Sequence, residues 1–139
     1  MPLKIFIIDD EESIRTTLKW HLEDLGHEVI TAAQPLDCDI LRGHHCNQDQ
    51  ACCNVLIIDY HMPGMTGLEF IEMLIRCGCR GCTANVLIIS GYIGAIDLTK
   101  VQEFGCSVMQ KPVSFAELEE WLKRVEKPVK INPSLRKKA

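Results

Sequence analysis

Residues 54–67 read NVLIIDYHMPGMTG, and the fold turns on how they are understood. Val55–Ile58 is a continuous apolar run, as expected of a strand covered on both faces. It runs directly into a carboxylate, Asp59, and then into a turn containing Pro63, Gly64 and Gly67. A strand that delivers a charged group from the end of the core calls for a chemical reason.

Working outward, the same pattern recurs. Leu3–Ile8 is a buried strand ending in Asp9 and Asp10, and Val86–Ile89 is another ending in Ser90 and Gly91. Glu28–Ala32 alternates like a short strand, and Ser107–Met109 is a fifth, followed closely by Lys111 and Pro112. Between them lie amphipathic segments. Glu12–Leu25 places Ile14, Leu18, Leu22 and Leu25 at helical spacing and is closed by Gly26. Pro35–Arg42 reads as a short helix. Thr66 and Glu69 form a capping box opening a helix over Gly67–Cys77. Ala95–Phe104 is helical and stopped by Gly105. Ser114 and Glu117 form a second capping box, opening a helix whose apolar face is Phe115, Leu118, Trp121, Leu122 and Val125. Trp20 and His21 read as partly buried surface of the first helix.

Five strands alternating with five helices predict an α/β fold: a doubly wound, five-stranded parallel sheet with helices on both faces. The chain has 139 residues, 47% hydrophobic and 24% charged, which suits one domain with a buried core. The reading is a domain over residues 1–126 and a basic, flexible tail over 127–139. A net charge of −4 gives no reason to expect direct nucleic-acid binding. No apolar run reaches membrane-spanning length, and the N-terminal apolar stretch is too short for a signal peptide, so a cytoplasmic location is expected.

In such a sheet, function gathers at the carboxyl ends of the strands. Asp9, Asp10 and Asp59 would therefore meet at one edge, together with Ser90 and Lys111. Three carboxylates repel one another, and a single lysine does not neutralise them, so uncompensated they take up protons. A hard divalent cation with few protein ligands and room for water removes the conflict, which points to Mg²⁺ with phosphate-like oxygens nearby. Taken separately, Asp9 and Asp10 have a plainer use, as caps of the first helix.

These residues, Asp9-Asp10, Asp59 in IIDYHMPGMTG, Ser90 after an apolar strand and Lys111-Pro112, resemble the receiver domain of bacterial response regulators over about residues 3–126. The resemblance implies a flavodoxin-like sheet of strand order 2-1-3-4-5. It implies that Asp59 is the phospho-acceptor, and that Asp10, Asp59 and the main-chain carbonyl of His61 bind Mg²⁺, with Asp9 helping through water. Ser90 would bind the phosphoryl group, Lys111 would pair with it, and the Lys111–Pro112 bond would be cis. The phosphoryl group would come from a histidine kinase or phosphotransfer protein, and the modified domain would switch its contacts with a downstream protein. It would not be an enzyme with a separate substrate.

The sequence departs from that family at Val108, three residues before Lys111, where receivers carry a mobile Tyr or Phe; Tyr92 is a candidate substitute. An aspartate-nucleophile phosphohydrolase is disfavoured, because that class needs an acid two residues after the nucleophile and His61 stands there. The 8 cysteines are a second departure. Cys52, Cys53, Cys77, Cys79 and Cys82 crowd into two stretches expected at the amino end of the sheet. They read as packed thiols, as a thiolate Zn²⁺ site, or as a disulfide or redox switch on a receiver scaffold.

Overall fold

The computed structural model describes residues 3–34, 53–76 and 85–126. Its main sheet comprises β1 (Lys4–Ile8), β2 (Glu28–Ala32), β3 (Val55–Asp59), β6 (Val86–Ser90) and β7 (Ser107–Gln110). β4 (His61–Met62) and β5 (Met65–Thr66) form a two-residue hairpin beyond β3. The helices are α1 (Glu12–Asp24), α2 (Gly67–Arg76), α3 (Leu98–Phe104) and α4 (Phe115–Glu126). The strand order is β2-β1-β3-β6-β7 with every neighbouring pair parallel. With the hairpin set aside, this is the expected order 2-1-3-4-5. The expected helix Pro35–Arg42 and the tail 127–139 lie outside the described residues.

Strand alternation sorts the core into two layers. Ile5, Ile7, Val55, Ile57, Leu87 and Ile89 pack with Leu18 and Leu22 of α1 and with Leu118, Trp121 and Leu122 of α4. Ile8, Leu56, Ile58, Val86 and Ile88 face the other way, onto Leu68, Phe70, Ile71 and Leu74 of α2 and Val101 of α3. Every residue of β3 and β6 is buried. Uninterrupted apolar runs therefore mark the central strands of a sheet covered on both sides.

The helix ends follow local chemistry. Gly26 ends α1 at φ +96°, and its N–H donates to Glu23. The first capping box is complete: Thr66 N–H donates to Glu69 Oε1 at 3.0 Å, and Glu69 N–H to Thr66 Oγ1 at 3.1 Å. At α4, Glu117 N–H donates to Ser114 Oγ at 3.3 Å. The helix expected over Ala95–Phe104 begins later, at Leu98, because Asp97 caps it by accepting from Thr99 and Lys100 N–H. A single 3₁₀ turn, Ile93–Ala95, precedes it. Trp20 is more open than expected, at 71% exposure, whereas His21 stacks on Phe115 with ring centroids 4.1 Å apart. No helix among the described residues is long and apolar enough to cross a membrane.

Candidate acidic site at the sheet edge

The order of strands reverses between β1 and β3, since β1 leads to β2 on one side and β3 lies on the other. A crevice opens at such a point at the carboxyl ends of the strands. The register sets Ile8 beside Ile58, so Asp9, Asp10 and Asp59 emerge together. One carboxylate oxygen from each lies within 4.8 Å of the other two, the one potential metal-binding group of three among the described residues. Asp9 and Asp59 are buried and Asp10 is exposed.

Lys111 enters from the end of β7. Its Nζ stands 3.1 Å from Asp9 Oδ2, 3.3 Å from Asp59 Oδ1 and 3.3 Å from Glu11 Oε1. Asp9 Oδ2 is buried and meets that ammonium as an ion pair, not as an aligned hydrogen bond. Asp9 Oδ1 accepts from Glu11 N–H at 2.8 Å in the turn before α1, but Glu11 holds the N-cap position and no side chain caps that end, so the plainer capping use is not realised. The Lys111–Pro112 peptide is cis, as expected. Ser90 is fully buried, with its Oγ accepting from Tyr92 N–H at 3.0 Å. His61 is exposed, and its N–H donates to Asp59 Oδ1 at 3.3 Å.

The electrostatics match the expected proton uptake. Burial, and next the neighbouring Asp9 charge, push Asp59 from 3.8 up to about 6, against the opposing pull of Lys111 and the His61 N–H. Asp9 is also raised, with burial first among the causes. Burial disfavours the charge on Lys111, but Asp9 and Asp59 more than offset it and raise its pKa. The donor set fits a hard divalent ion: it is all carboxylate, crowded, partly open at Asp10, and compensated by one ammonium.

Four contributors escaped the sequence reading. Glu11 shares the lysine. Arg15 Nη1 holds the Asp9 carbonyl at 2.7 Å. Gln110 bridges two loops, as described below. Gly67 looked like an ordinary turn residue, yet a Cβ there would stand 2.8 Å from the Asp59 carbonyl oxygen. None of these contacts has a local sequence signature: those of Glu11 and Gln110 depend on which strand ends become neighbours, and those of Arg15 and Gly67 on how a helix seats after its strand.

The cysteine readings fall mostly outside the described residues: Cys52, Cys77, Cys79 and Cys82 do so, while Cys53 is fully buried just before β3. Burial pushes the Cys106 thiol up to about 11, which keeps it protonated and unreactive.

Fold and site together define a doubly wound α/β domain with an acidic pocket and a lysine at its topological switch point. The chain belongs to the response regulator receiver domain family, whose model matches residues 5–123. Such receivers are the response-regulator half of two-component systems. Over 80 residues the chain is 39% identical to the cyclic di-GMP phosphodiesterase response regulator RpfG of Xanthomonas campestris pv. campestris (strain 8004), a match covering 53% of this chain and 18% of RpfG. Among solved structures, it resembles the chemotaxis response regulator CheY4 of Vibrio cholerae, with TM-score 0.72 and 26% identity, over 90% of this chain and 99% of that one. It also resembles TrrA of Thermotoga maritima in complex with Mg²⁺–BeF, with TM-score 0.68 and 25% identity, over 90% and 99% of the two chains. The chain spans less than half the length of the first curated relatives it matches.

Proposed function

We propose that this domain is a Mg²⁺-dependent phospho-acceptor that takes a phosphoryl group onto Asp59 from a histidine kinase or phosphotransfer protein. The observation that carries this reading is the meeting of Asp9, Asp10 and Asp59 within 4.8 Å, with the Lys111 ammonium 3.3 Å from Asp59 Oδ1.

An Asp59 carboxylate oxygen attacks phosphorus, and the bond from phosphorus to the donor breaks as the new O–P bond forms. β3 holds the nucleophile rigidly, so little positional freedom is lost when the donor arrives. Asp9, Asp10, Asp59 and the His61 main-chain carbonyl would hold Mg²⁺. The metal would supply charge neutralisation for the carboxylates and the incoming group. Lys111 pairs with a phosphoryl oxygen, and the Ser90 hydroxyl turns from Tyr92 N–H to another. The added charge then reorganises both loops and alters the surface offered to a downstream protein. In this reading the domain is cytoplasmic, catalyses only its own modification, inserts in no membrane and binds no nucleic acid directly.

The test is incorporation of label from a small acyl-phosphate donor. Labelling should require Mg²⁺ and vanish in Asp59→Asn; label persisting in that variant would place the acceptor elsewhere.

A further inference from the structure

Receivers with an aromatic residue three positions before the lysine have a ring that moves with the serine or threonine. This chain has Val108 there, half-buried against the layer of α2 and α3. Tyr92 is a poor replacement. It is 68% exposed, and its ring lies over Gly94 of its own 3₁₀ turn, where an added Cβ would stand 2.9 Å from Cζ.

Gln110 is placed differently. It is the register partner of Ser90 at the end of β7, directly before Lys111. Its Nε2 donates to the Gly91 carbonyl at 2.6 Å and to the Lys111 carbonyl at 3.4 Å. Its Oε1 accepts from Ile93 N–H at 3.4 Å. One side chain thus fastens both ends of the Gly91–Ile93 segment to the strand that carries Lys111. The Gly91–Tyr92 peptide unit is held from both sides, its carbonyl by Gln110 and its Tyr92 N–H by Ser90 Oγ. In the proposed mechanism that hydroxyl turns from this bond toward a phosphoryl oxygen. When it does, that peptide loses its N–H tie but stays fastened to Gln110 at its carbonyl and, one residue on, at Ile93 N–H, so displacement passes through Gln110.

We infer that Gln110 is the positioning residue that couples movement of the Ser90 loop to the Lys111–Pro112 loop, in place of the missing aromatic. This rests on the phospho-acceptor reading of Asp59. The destination is an apolar groove lined by Ile14, Thr17, Lys111, Pro112, Val113 and Phe115, whose mouth would change with the state of Asp59.

The experiment compares backbone amide shifts of the whole chain with Mg²⁺ before and after an acyl-phosphate donor, in wild type, Gln110→Ala and Gln110→Glu. Label on Asp59 is followed in parallel. In wild type, shifts are expected at Gly91–Ile93 and also at Val113 and Ser114, beyond Lys111, which meets the phosphoryl group itself and is not counted. In Gln110→Ala the first group persists, the second is lost, and Asp59 is still labelled. Gln110→Glu lacks the donor to Gly91 and loses the same response. In the metal-free Gln110→Ala protein, Ile93 N–H exchanges several-fold faster, with unchanged exchange in β3. Both groups responding as in wild type, or both vanishing despite full labelling, overturns the coupling. Failure of wild type to label overturns the phospho-acceptor reading itself, and is seen separately.

Discussion

At Asp59 two demands conflict: in the proposed role its carboxylate must be ionised to react, and the strand that carries it also buries it. Burial and Asp9 raise its pKa to about 6, above the ordinary 3.8. An acid with a raised folded pKa binds more protons folded than unfolded between those values. Metal-free stability therefore falls as pH rises through about 4 to about 6, and the whole penalty stands above that window. This is opposite in sign to the common salt-bridged aspartate. Asp9, also raised, adds in the same direction. Lys111 has the opposite effect: its raised pKa contributes stability below its ordinary 10.5, lost only as pH climbs through the folded value. Asp59→Asn should thus stabilise the metal-free protein, by more at about pH 8 than at about pH 5. Denaturant titrations at the two pH values measure this, and an advantage independent of pH would refute the assignment. Removing the cation in Lys111→Ala leaves buried carboxylates uncompensated, so that variant should be less stable without Mg²⁺ and regain much of the loss on adding it.

At the scale of elements, the junction between β3 and α2 carries the tightest constraint. Gly67 N–H donates to the Tyr60 carbonyl at 2.9 Å, and any Cβ on Gly67 would press on the backbone of Asp59. Backbone yields poorly, so Gly67→Ala should cost about 1–3 kcal/mol and shift the Asp59 carboxylate. Gly91→Ala is the matched control, because a Cβ there meets nothing within 4 Å. Chemical denaturation with Mg²⁺ titration separates the two variants; equal behaviour would mean α2 can move aside. Asp97→Ala should lower stability by about 1 kcal/mol through loss of the α3 cap. The elements themselves were largely legible in sequence, since apolar runs and capping boxes are local signals. β3 and β6 each extend one residue beyond their apolar run, to Asp59 and Ser90, because the ladder continues past the core. The start of α3 was misplaced because apolar spacing from Ala95 onward outweighed the local cap at Asp97.

Across the whole molecule, the site's position was readable for a topological reason: parallel strands bring all their carboxyl ends to one edge, so polar residues ending each apolar run must converge. Its bracing was not readable, because Glu11 and Gln110 act across loops whose spacing only the packed sheet sets, and Arg15 reaches Asp9 only once α1 is seated. The opposite edge is braced too. His27 Nδ1 accepts from Leu3 N–H at 3.0 Å, while Nε2 lies 3.2 Å from Glu126 Oε1, joining the start of β1 to the end of α4. Both core layers share the same five strands, so opening one exposes the other, and the described core should unfold as one unit. A ligand at one edge then stabilises the whole. Mg²⁺ that binds only the folded state adds about 2.7 kcal/mol at a hundred times its Kd, and the entire thermal transition should rise without splitting. Its effect should shrink as pH falls below about 6, where protonation of Asp59 competes with the metal. It should also be much smaller in Asp59→Asn. Calorimetry against Mg²⁺ concentration and pH reads all three dependences. A transition indifferent to Mg²⁺ at neutral pH would refute metal binding at the acidic pocket, and a split transition would show that the two layers unfold separately.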